Sequence, residues 1–81
     1  MDKYIIYGIE KCPYCLRARK FLGRRGVEVV WIDLSTDPDY LNEVKEYHNF
    51  PTVPIILKNN PVSGLVSFIG GYSDLLETLD V

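Results

Sequence analysis

Two cysteines three positions apart are the residues in this chain best suited to chemistry. They form the motif Cys12-Pro13-Tyr14-Cys15, which follows an apolar run at residues 4–7 and precedes a helix-compatible segment at residues 16–25. A C-x-x-C motif between a strand and a helix is typical of dithiols that exchange with disulfides. The motif therefore predicts a redox-active cysteine pair.

The spacing predicts a different role for each sulfur. If Cys12 lies just before the helix, its sulfur faces the unpaired N–H groups and the positive dipole end of the first turn, which favour the thiolate. Cys12 is therefore the expected nucleophile. Pro13 suits the first helical position, and Cys15 follows one turn later, within bonding reach of Cys12. We expect Cys15 to resolve the mixed disulfide that a substrate forms with Cys12.

Four cations lie close to the pair in sequence, and they are Lys11, Arg17, Arg19 and Lys20. Positive charge beside a cysteine stabilises its thiolate. Lys11 is adjacent to Cys12 and is the cation most expected to act in this way. The other three are equally consistent with a basic helix face that is only solvated.

A structural disulfide and a zinc site are the other interpretations of the two cysteines. A structural disulfide is expected in a secreted chain, but residues 1–3 lead into a short apolar strand and not into a targeting segment. A zinc site needs about four ligands, and the chain offers only one histidine, His48, besides the cysteine pair. A lone histidine near a helix end usually favours the helix C-terminus, so we expect no metal.

Length and composition limit the possible classes of protein. A chain of 81 residues has room for one domain, residues 1–81. Its net charge of −2 argues against a general nucleic-acid or membrane-surface binder, because attraction to phosphates needs a positive excess. No stretch approaches the roughly 20 apolar residues of a membrane span. We expect a monomer in the cytosol, where a dithiol can cycle.

Hydrophobic periodicity and turn residues predict seven elements. Strands are expected at residues 3–8, 27–34, 52–58 and 65–69, and helices at residues 13–25, 38–47 and 72–79. Gly26 should end the first helix, and Ser73 should cap the last. The N-cap candidates of the second helix are Ser35, Thr36 and Asp37.

The order of these elements predicts the topology of the sheet. The first β-α-β unit should be parallel with a right-handed crossover, and the later hairpin should be antiparallel. We therefore expect an α/β, thioredoxin-like fold with a four-stranded mixed sheet, β-α-β-α-β-β-α order and flanking helices.

Three motifs in this order resemble those of the glutaredoxins, which belong to the thioredoxin superfamily. They are Cys12-Pro13-Tyr14-Cys15, Thr52-Val53-Pro54 and Gly70-Gly71-Tyr72-Ser73-Asp74, and the resemblance covers nearly the whole chain. It implies a dithiol oxidoreductase of the CPYC type that uses glutathione as reductant and co-substrate. Protein disulfides are the implied partners, and ribonucleotide reductase is one that small glutaredoxins commonly serve.

The resemblance also implies a glutathione site. A cis Pro54 would face the sulfurs, and the Val53 backbone would pair with the cysteinyl part of glutathione as a short strand addition. The N–H groups of Ser73 and Asp74 would hold the γ-glutamyl carboxylate, and the Asp74 side chain would meet the ammonium. The other expected contacts are Lys11, Tyr14, Thr52, Gly71 and Tyr72, with Tyr14 and Tyr72 as exposed edges of the groove.

The chain departs from the family pattern in three places. Ile9 stands where the family commonly carries Lys or Arg for the glycyl carboxylate, although Lys11 lies nearby. Asn49-Phe50-Pro51 replaces a usual Arg or Gln, for which Lys45 or His48 could substitute. The hairpin segment at residues 59–67 is longer than usual.

These features predict a glutathione-dependent dithiol–disulfide oxidoreductase that reduces protein disulfides or glutathione mixed disulfides. Two alternatives stay open. Ile9 and the missing Arg or Gln favour a redoxin of the same fold that is reduced by thioredoxin reductase. A non-catalytic iron–sulfur carrier would hold its cluster between two monomers through Cys12 and glutathione, but Pro13 and Cys15 count against it.

Overall fold

The computed structural model describes residues 2–79. Its seven elements are β1 (Lys3–Gly8), α1 (Pro13–Arg24), β2 (Glu28–Asp33), α2 (Pro38–Tyr47), β3 (Ile55–Asn59), β4 (Val66–Gly70) and α3 (Tyr72–Leu79). None of the helices within residues 2–79 has the length and apolar character needed to cross a membrane.

The four strands form one mixed sheet in the order β2-β1-β3-β4. β1 pairs in parallel with β2 and antiparallel with β3, and β3 pairs antiparallel with β4. β1 is therefore a central strand, and its carboxyl end at Gly8 leads directly toward the cysteine motif. The predicted thioredoxin-like architecture is confirmed.

Alternation along β1 divides the core into two layers. Tyr4 and Ile6 face α1 and α3, where they pack with Ala18, Leu22 and Leu75. On the other face of the sheet, α2 contributes Val44 to a smaller cluster with Leu34 and Ile55. Successive side chains of a strand point to opposite faces of the sheet. The helices α1 and α3 therefore cover one face, and α2 covers the other.

Local sequence signals explain where the first two helices begin and end. Cys12 is the N-cap of α1, and Pro13 occupies the first turn, where its missing N–H costs nothing. Gly26 follows the helix with a φ of +72°, a conformation that suits glycine. Asp37 is the N-cap of α2 and accepts a hydrogen bond from the Tyr40 N–H at 3.1 Å.

The start of the third strand and the cap of the last helix were predicted wrongly. The third strand begins at Ile55, not at Thr52, because Pro51 and Pro54 have no N–H with which to join the sheet. Ser73 does not cap the last helix, because that helix begins at Tyr72, as predicted, and Ser73 already lies within it. The first helical bond runs from the Leu75 N–H to the Gly71 carbonyl, at 3.0 Å.

Two side chains at helical spacing lie outside the core. Leu16 is 40% exposed, because the buried face of α1 is formed by Cys15, Ala18 and Leu22. Tyr47, which continues the periodicity of α2, is 85% exposed.

Candidate active site

Cys12 occupies the N-terminal end of α1. Its sulfur accepts a hydrogen bond from the Cys15 N–H at a sulfur-to-nitrogen distance of 3.4 Å. The Cys12 N–H donates to the Ile9 carbonyl at 3.2 Å, which closes the turn between β1 and α1. The side chain is half-buried, so a substrate can reach its sulfur.

Cys15 differs from Cys12 in both burial and acidity. Its side chain is fully buried within α1. Burial, followed by a hydrogen bond with the Cys12 side chain, raises the pKa of Cys15 to about 12. Cys15 therefore stays a neutral thiol near neutral pH, while the accessible sulfur is that of Cys12.

A groove of about 310 Å³ opens beside the Cys12 sulfur. The Val53 carbonyl oxygen lies 3.9 Å from that sulfur, and the Val53–Pro54 peptide bond is cis. The walls come from the first turn of α1, the segment before β3 and the start of α3. They are formed by Tyr14, Phe50, Thr52, Val53, Pro54, Gly71, Tyr72, Ser73 and Asp74.

The start of α3 forms one end of this groove. Gly70 has a φ of +121°, and a β-carbon built there would collide with the Asp74 carboxylate. That carboxylate accepts a hydrogen bond from the Gly71 N–H at 2.8 Å. The Asp74 side chain thus folds back over the helix start, which is possible because Gly70 has no side chain. The N–H groups of the first turn of α3 have no partners within the helix.

A hydrogen-bond network ties the cysteine turn to the end of β2. Asp33 accepts bonds from the backbone N–H and the hydroxyl of Ser35, at 2.9 and 2.5 Å. The Ser35 hydroxyl oxygen in turn accepts a bond from the Glu10 N–H at 2.9 Å. These Ser35 bonds hold the pKa of the Asp33 carboxyl below its usual value. The network fixes the backbone of Glu10, which lies two positions before Cys12.

Eight of the nine predicted glutathione contacts line the groove, and Lys11 is the exception. Lys11 is exposed and is not among the residues that line the groove. Lys45 lies beside Asn49, Phe50 and Pro51 in a neighbouring cavity. His48 instead caps the C-terminus of α2 and stacks on Phe68, with ring centroids 5.2 Å apart.

Sequence reasoning missed several residues that shape the site. Phe50 lines the groove, and its ring would lie 3.4 Å from a β-carbon at Gly71. Gly8 leaves room for the Cys15 sulfur and the Trp31 ring, which lie 2.7 and 2.8 Å from the position of an added β-carbon. The available signals were a glycine at the end of a buried strand and an aromatic residue immediately before Pro51.

The arrangement pairs an accessible sulfur with a buried, neutral thiol one helical turn away. Thiol–disulfide exchange needs an attacking sulfur that a substrate can reach and a second sulfur that displaces it. The groove beside Cys12 adds exposed backbone and aromatic walls for an extended ligand. The site is therefore built for exchange with disulfides.

Comparisons with known proteins agree with this chemistry. The glutaredoxin family model matches residues 4–61. A glutaredoxin of Pseudomonas aeruginosa is 32% identical over 75 residues, which cover 93% of this chain and 82% of that protein. The residues matched by the family model include the cysteine motif and the Thr52-Val53-Pro54 segment.

Solved structures resemble the chain along nearly its whole length. The dithiolic glutaredoxin of Trypanosoma brucei brucei is 31% identical, with a TM-score of 0.71 over 98% of this chain and 77% of that one. A buckwheat glutaredoxin in complex with glutathione has a TM-score of 0.76 over 95% of this chain and 67% of that one, at 21% identity. The exchange chemistry of the cysteine pair and the family match lead to the same assignment, and this chain belongs to the glutaredoxin family of thiol–disulfide oxidoreductases.

Proposed function

We propose that this protein is a glutathione-dependent oxidoreductase that reduces protein disulfides and glutathione mixed disulfides through Cys12 and Cys15. The observation that carries the proposal is the groove beside the Cys12 sulfur, closed at one end by the start of α3. A short peptide whose sulfur meets Cys12 and whose carboxylate meets the start of α3 would match these two features. The buckwheat relative was solved with glutathione, which supports the same ligand here.

The cysteine geometry suggests the order of the steps. The Cys12 thiolate attacks a substrate disulfide, one substrate sulfur leaves as a thiol after protonation, and the other is held in a mixed disulfide with Cys12. The Cys15 thiol then loses its proton, attacks the Cys12 sulfur and releases the second substrate thiol. Two electrons pass to the substrate, and Cys12 and Cys15 end as a disulfide. Two glutathione molecules return the electrons and leave as glutathione disulfide.

The groove offers specific contacts for glutathione. Backbone groups at Val53 would pair with its cysteinyl residue, as in the addition of a short strand. The free N–H groups at Ser73 and Asp74 would receive the γ-glutamyl carboxylate, because a helix N-terminus attracts anions. One oxygen of the Asp74 carboxylate already binds the Gly71 N–H, and the other would meet the ammonium.

Reduction by thioredoxin reductase is the second candidate function. Ile9 provides no positive charge for the glycyl carboxylate, and Asn49-Phe50-Pro51 provides none beside Thr52. Phe50 instead gives this end of the groove an aromatic wall. An apolar wall favours the surface of a protein partner over the carboxylate of a small peptide.

One assay distinguishes reduction by glutathione from reduction by thioredoxin reductase. The oxidised protein is incubated with NADPH and a small disulfide substrate, together with either glutathione and glutathione reductase or thioredoxin reductase. We expect NADPH consumption with glutathione, and none with Cys12→Ser. Turnover with thioredoxin reductase alone would replace the glutathione proposal by the second candidate.

The Cys15→Ser variant tests the resolving step. Because no second thiol can displace the substrate, this variant should accumulate a mixed disulfide between Cys12 and a protein substrate. Mass spectrometry under non-reducing conditions would detect the adduct, and dithiothreitol should remove it. Rapid release of the reduced protein substrate without glutathione would contradict the assigned role of Cys15.

Ribonucleotide reductase is the protein substrate that we propose to test first, because small glutaredoxins commonly serve it. The reduced protein should support multiple turnovers of oxidised ribonucleotide reductase in the presence of glutathione, glutathione reductase and NADPH. The Cys12→Ser variant is the control. Turnover no faster than with this variant would exclude ribonucleotide reductase as a substrate and leave the exchange chemistry in place.

A further inference from the structure

The positive charge of this chain is concentrated on one segment. Residues 11–27 contain six of its nine lysines and arginines and no acidic residue, whereas all 11 acidic residues lie elsewhere. The six cations are exposed. The net charge of −2 therefore conceals a strongly basic surface around α1, next to the cysteine pair.

Three of these cations line a small cleft. Arg17, Lys20 and Arg24 follow one another at helical spacing and share one face of α1. With Phe21 and Tyr72 they enclose about 130 Å³, which we call the basic cleft. Within residues 2–79, ion pairs join other lysines to acidic residues, and none includes a cation of this cleft. Its charges are available to a partner.

The basic cleft is continuous with the groove at the cysteines. Tyr72 lines both of them. The Tyr14 ring, on the groove side, lies 6.1 Å from the Tyr72 ring, and the Arg17 guanidinium carbon lies 5.2 Å from the centre of the Tyr14 ring. A polypeptide that leaves the groove across Tyr72 therefore meets Arg17 next.

We propose that the basic cleft binds acidic side chains close to the reactive disulfide of a protein substrate. This inference rests on the proposed exchange at Cys12 and names the class of protein that undergoes it. Three of the acidic residues, Asp39, Glu43 and Glu46, lie on α2, on the other face of the sheet from α1, where they repel an acidic partner. This polarity directs an acidic partner toward the α1 face during encounter.

A single-turnover experiment tests the inference without glutathione or any reductase. The reduced protein is mixed with a cyclic disulfide peptide that carries two glutamates next to one cysteine, or with the same peptide carrying glutamines. One peptide disulfide becomes two thiols as Cys12 and Cys15 form a disulfide, so electrons and protons balance. Fluorescence of Trp31, the only tryptophan, follows the reaction.

We expect the glutamate peptide to react about threefold to tenfold faster at low salt, because a few exposed ion pairs contribute that much. High salt should remove the difference, since exposed charges are screened. The Lys20→Gln/Arg24→Gln double variant should lose the preference. The control, Lys3→Gln/Lys58→Gln, removes the same charge away from the cleft and should retain it.

The outcomes separate the inference from the proposed function. Equal rates for both peptides with the wild-type protein, or equal loss of preference in both double variants, would overturn the inference and leave the exchange chemistry intact. Absence of exchange with either peptide would refute the proposed function itself. Tighter binding of a single-stranded oligonucleotide than of the glutamate peptide would assign the basic cleft to nucleic acid and also overturn the inference.

Discussion

At the scale of single residues, the two cysteines are chemically unequal because of where the helix places them. Cys12 is half-buried at the N-cap, and Cys15 faces the core one turn later. The same motif thus provides one sulfur for the substrate and one that solvent does not reach. Controlled exchange needs this inequality, because a second reactive thiol would compete for the substrate.

Cys15 should resist alkylation in the folded, reduced protein. Burial raises the pKa of Cys15 far above pH 8, so its sulfur stays a neutral thiol there, and it is also out of reach of solvent. Iodoacetamide at pH 8 should therefore add one group, at Cys12. Mass spectrometry counts the adducts, and the denatured protein, which should gain two, is the control. Two adducts formed at similar rates in the folded protein would contradict the assigned environment of Cys15.

Asp33 should contribute to stability in a pH-dependent manner. Its pKa is lowered in the folded state, so its contribution is complete above the ordinary value of 3.8 and is lost as pH falls through the folded value. The stability difference between wild type and Asp33→Asn, measured by urea titrations, should therefore stay constant as the pH falls from neutral to the ordinary value of 3.8 and shrink below it.

The Ser35→Ala variant tests the cause of this pKa shift. Loss of the hydroxyl removes one bond to the Asp33 carboxylate and the bond from the Glu10 N–H. A carboxyl-carbon NMR titration should show the pKa of Asp33 rising toward its ordinary value. An unchanged titration in Ser35→Ala would mean that Ser35 does not cause the shift.

At the scale of elements, the turn between β1 and α1 decides where the cysteines lie. β1 ends at Gly8 beneath the Cys15 sulfur, and the Trp31 side chain of β2 covers the same place. Arg19 lies over that ring, with its guanidinium carbon 4.4 Å from the ring centroid. Two strands and one helix therefore meet at a single position that has no space for a side chain.

Gly8→Ala should destabilise the protein. The added methyl group would overlap the Cys15 sulfur and the Trp31 ring, and overpacking of this kind costs about 1–3 kcal/mol. Urea unfolding gives the loss. The matched control is Gly23→Ala in α1, where nothing lies within 4 Å of the new β-carbon. That variant should gain about 0.5–1 kcal/mol from helix propensity. Equal stability of wild type and Gly8→Ala would show that the site has room to spare.

At the scale of the whole molecule, the active site depends on cooperation among distant segments. The groove has walls from α1, from the segment before β3 and from α3. α3 is held to the sheet by Leu75, which is fully buried among Ile6, Leu22 and Ile56. Loss of this anchor would open one end of the groove far from the cysteines in sequence.

Leu75→Ala should therefore lower both stability and activity. Truncation of a buried leucine costs about 2–5 kcal/mol, a large part of the roughly 4–12 kcal/mol expected for a domain of this length. Urea unfolding followed by Trp31 fluorescence and by far-UV circular dichroism measures the loss. The control is Leu65→Ala, in the exposed hairpin, which should change stability by less than about 0.5 kcal/mol. A loss as small as that of the control would contradict the anchoring role of Leu75.

The sequence by itself determined the elements, the family and the reactive pair. Strand and helix patterns are local, and Cys12, Pro13 and Cys15 must lie in order at a helix start whatever surrounds them. The mixed sheet followed from the order of the elements. The predicted start of β3 was wrong because the local signal is ambiguous. Thr52 has a β-branched side chain that is typical of strands, but it lies between Pro51 and Pro54.

Only the tertiary structure decided which residues meet at the site. Phe50 joined the groove and Lys11 did not, although Lys11 is adjacent to the nucleophile in sequence. Contacts between Gly8, Cys15 and Trp31, and the continuity of the basic cleft with the groove through Tyr72, join positions that are distant along the chain. No periodicity encodes such contacts, because they depend on how the packed helices and the sheet direct each side chain in space.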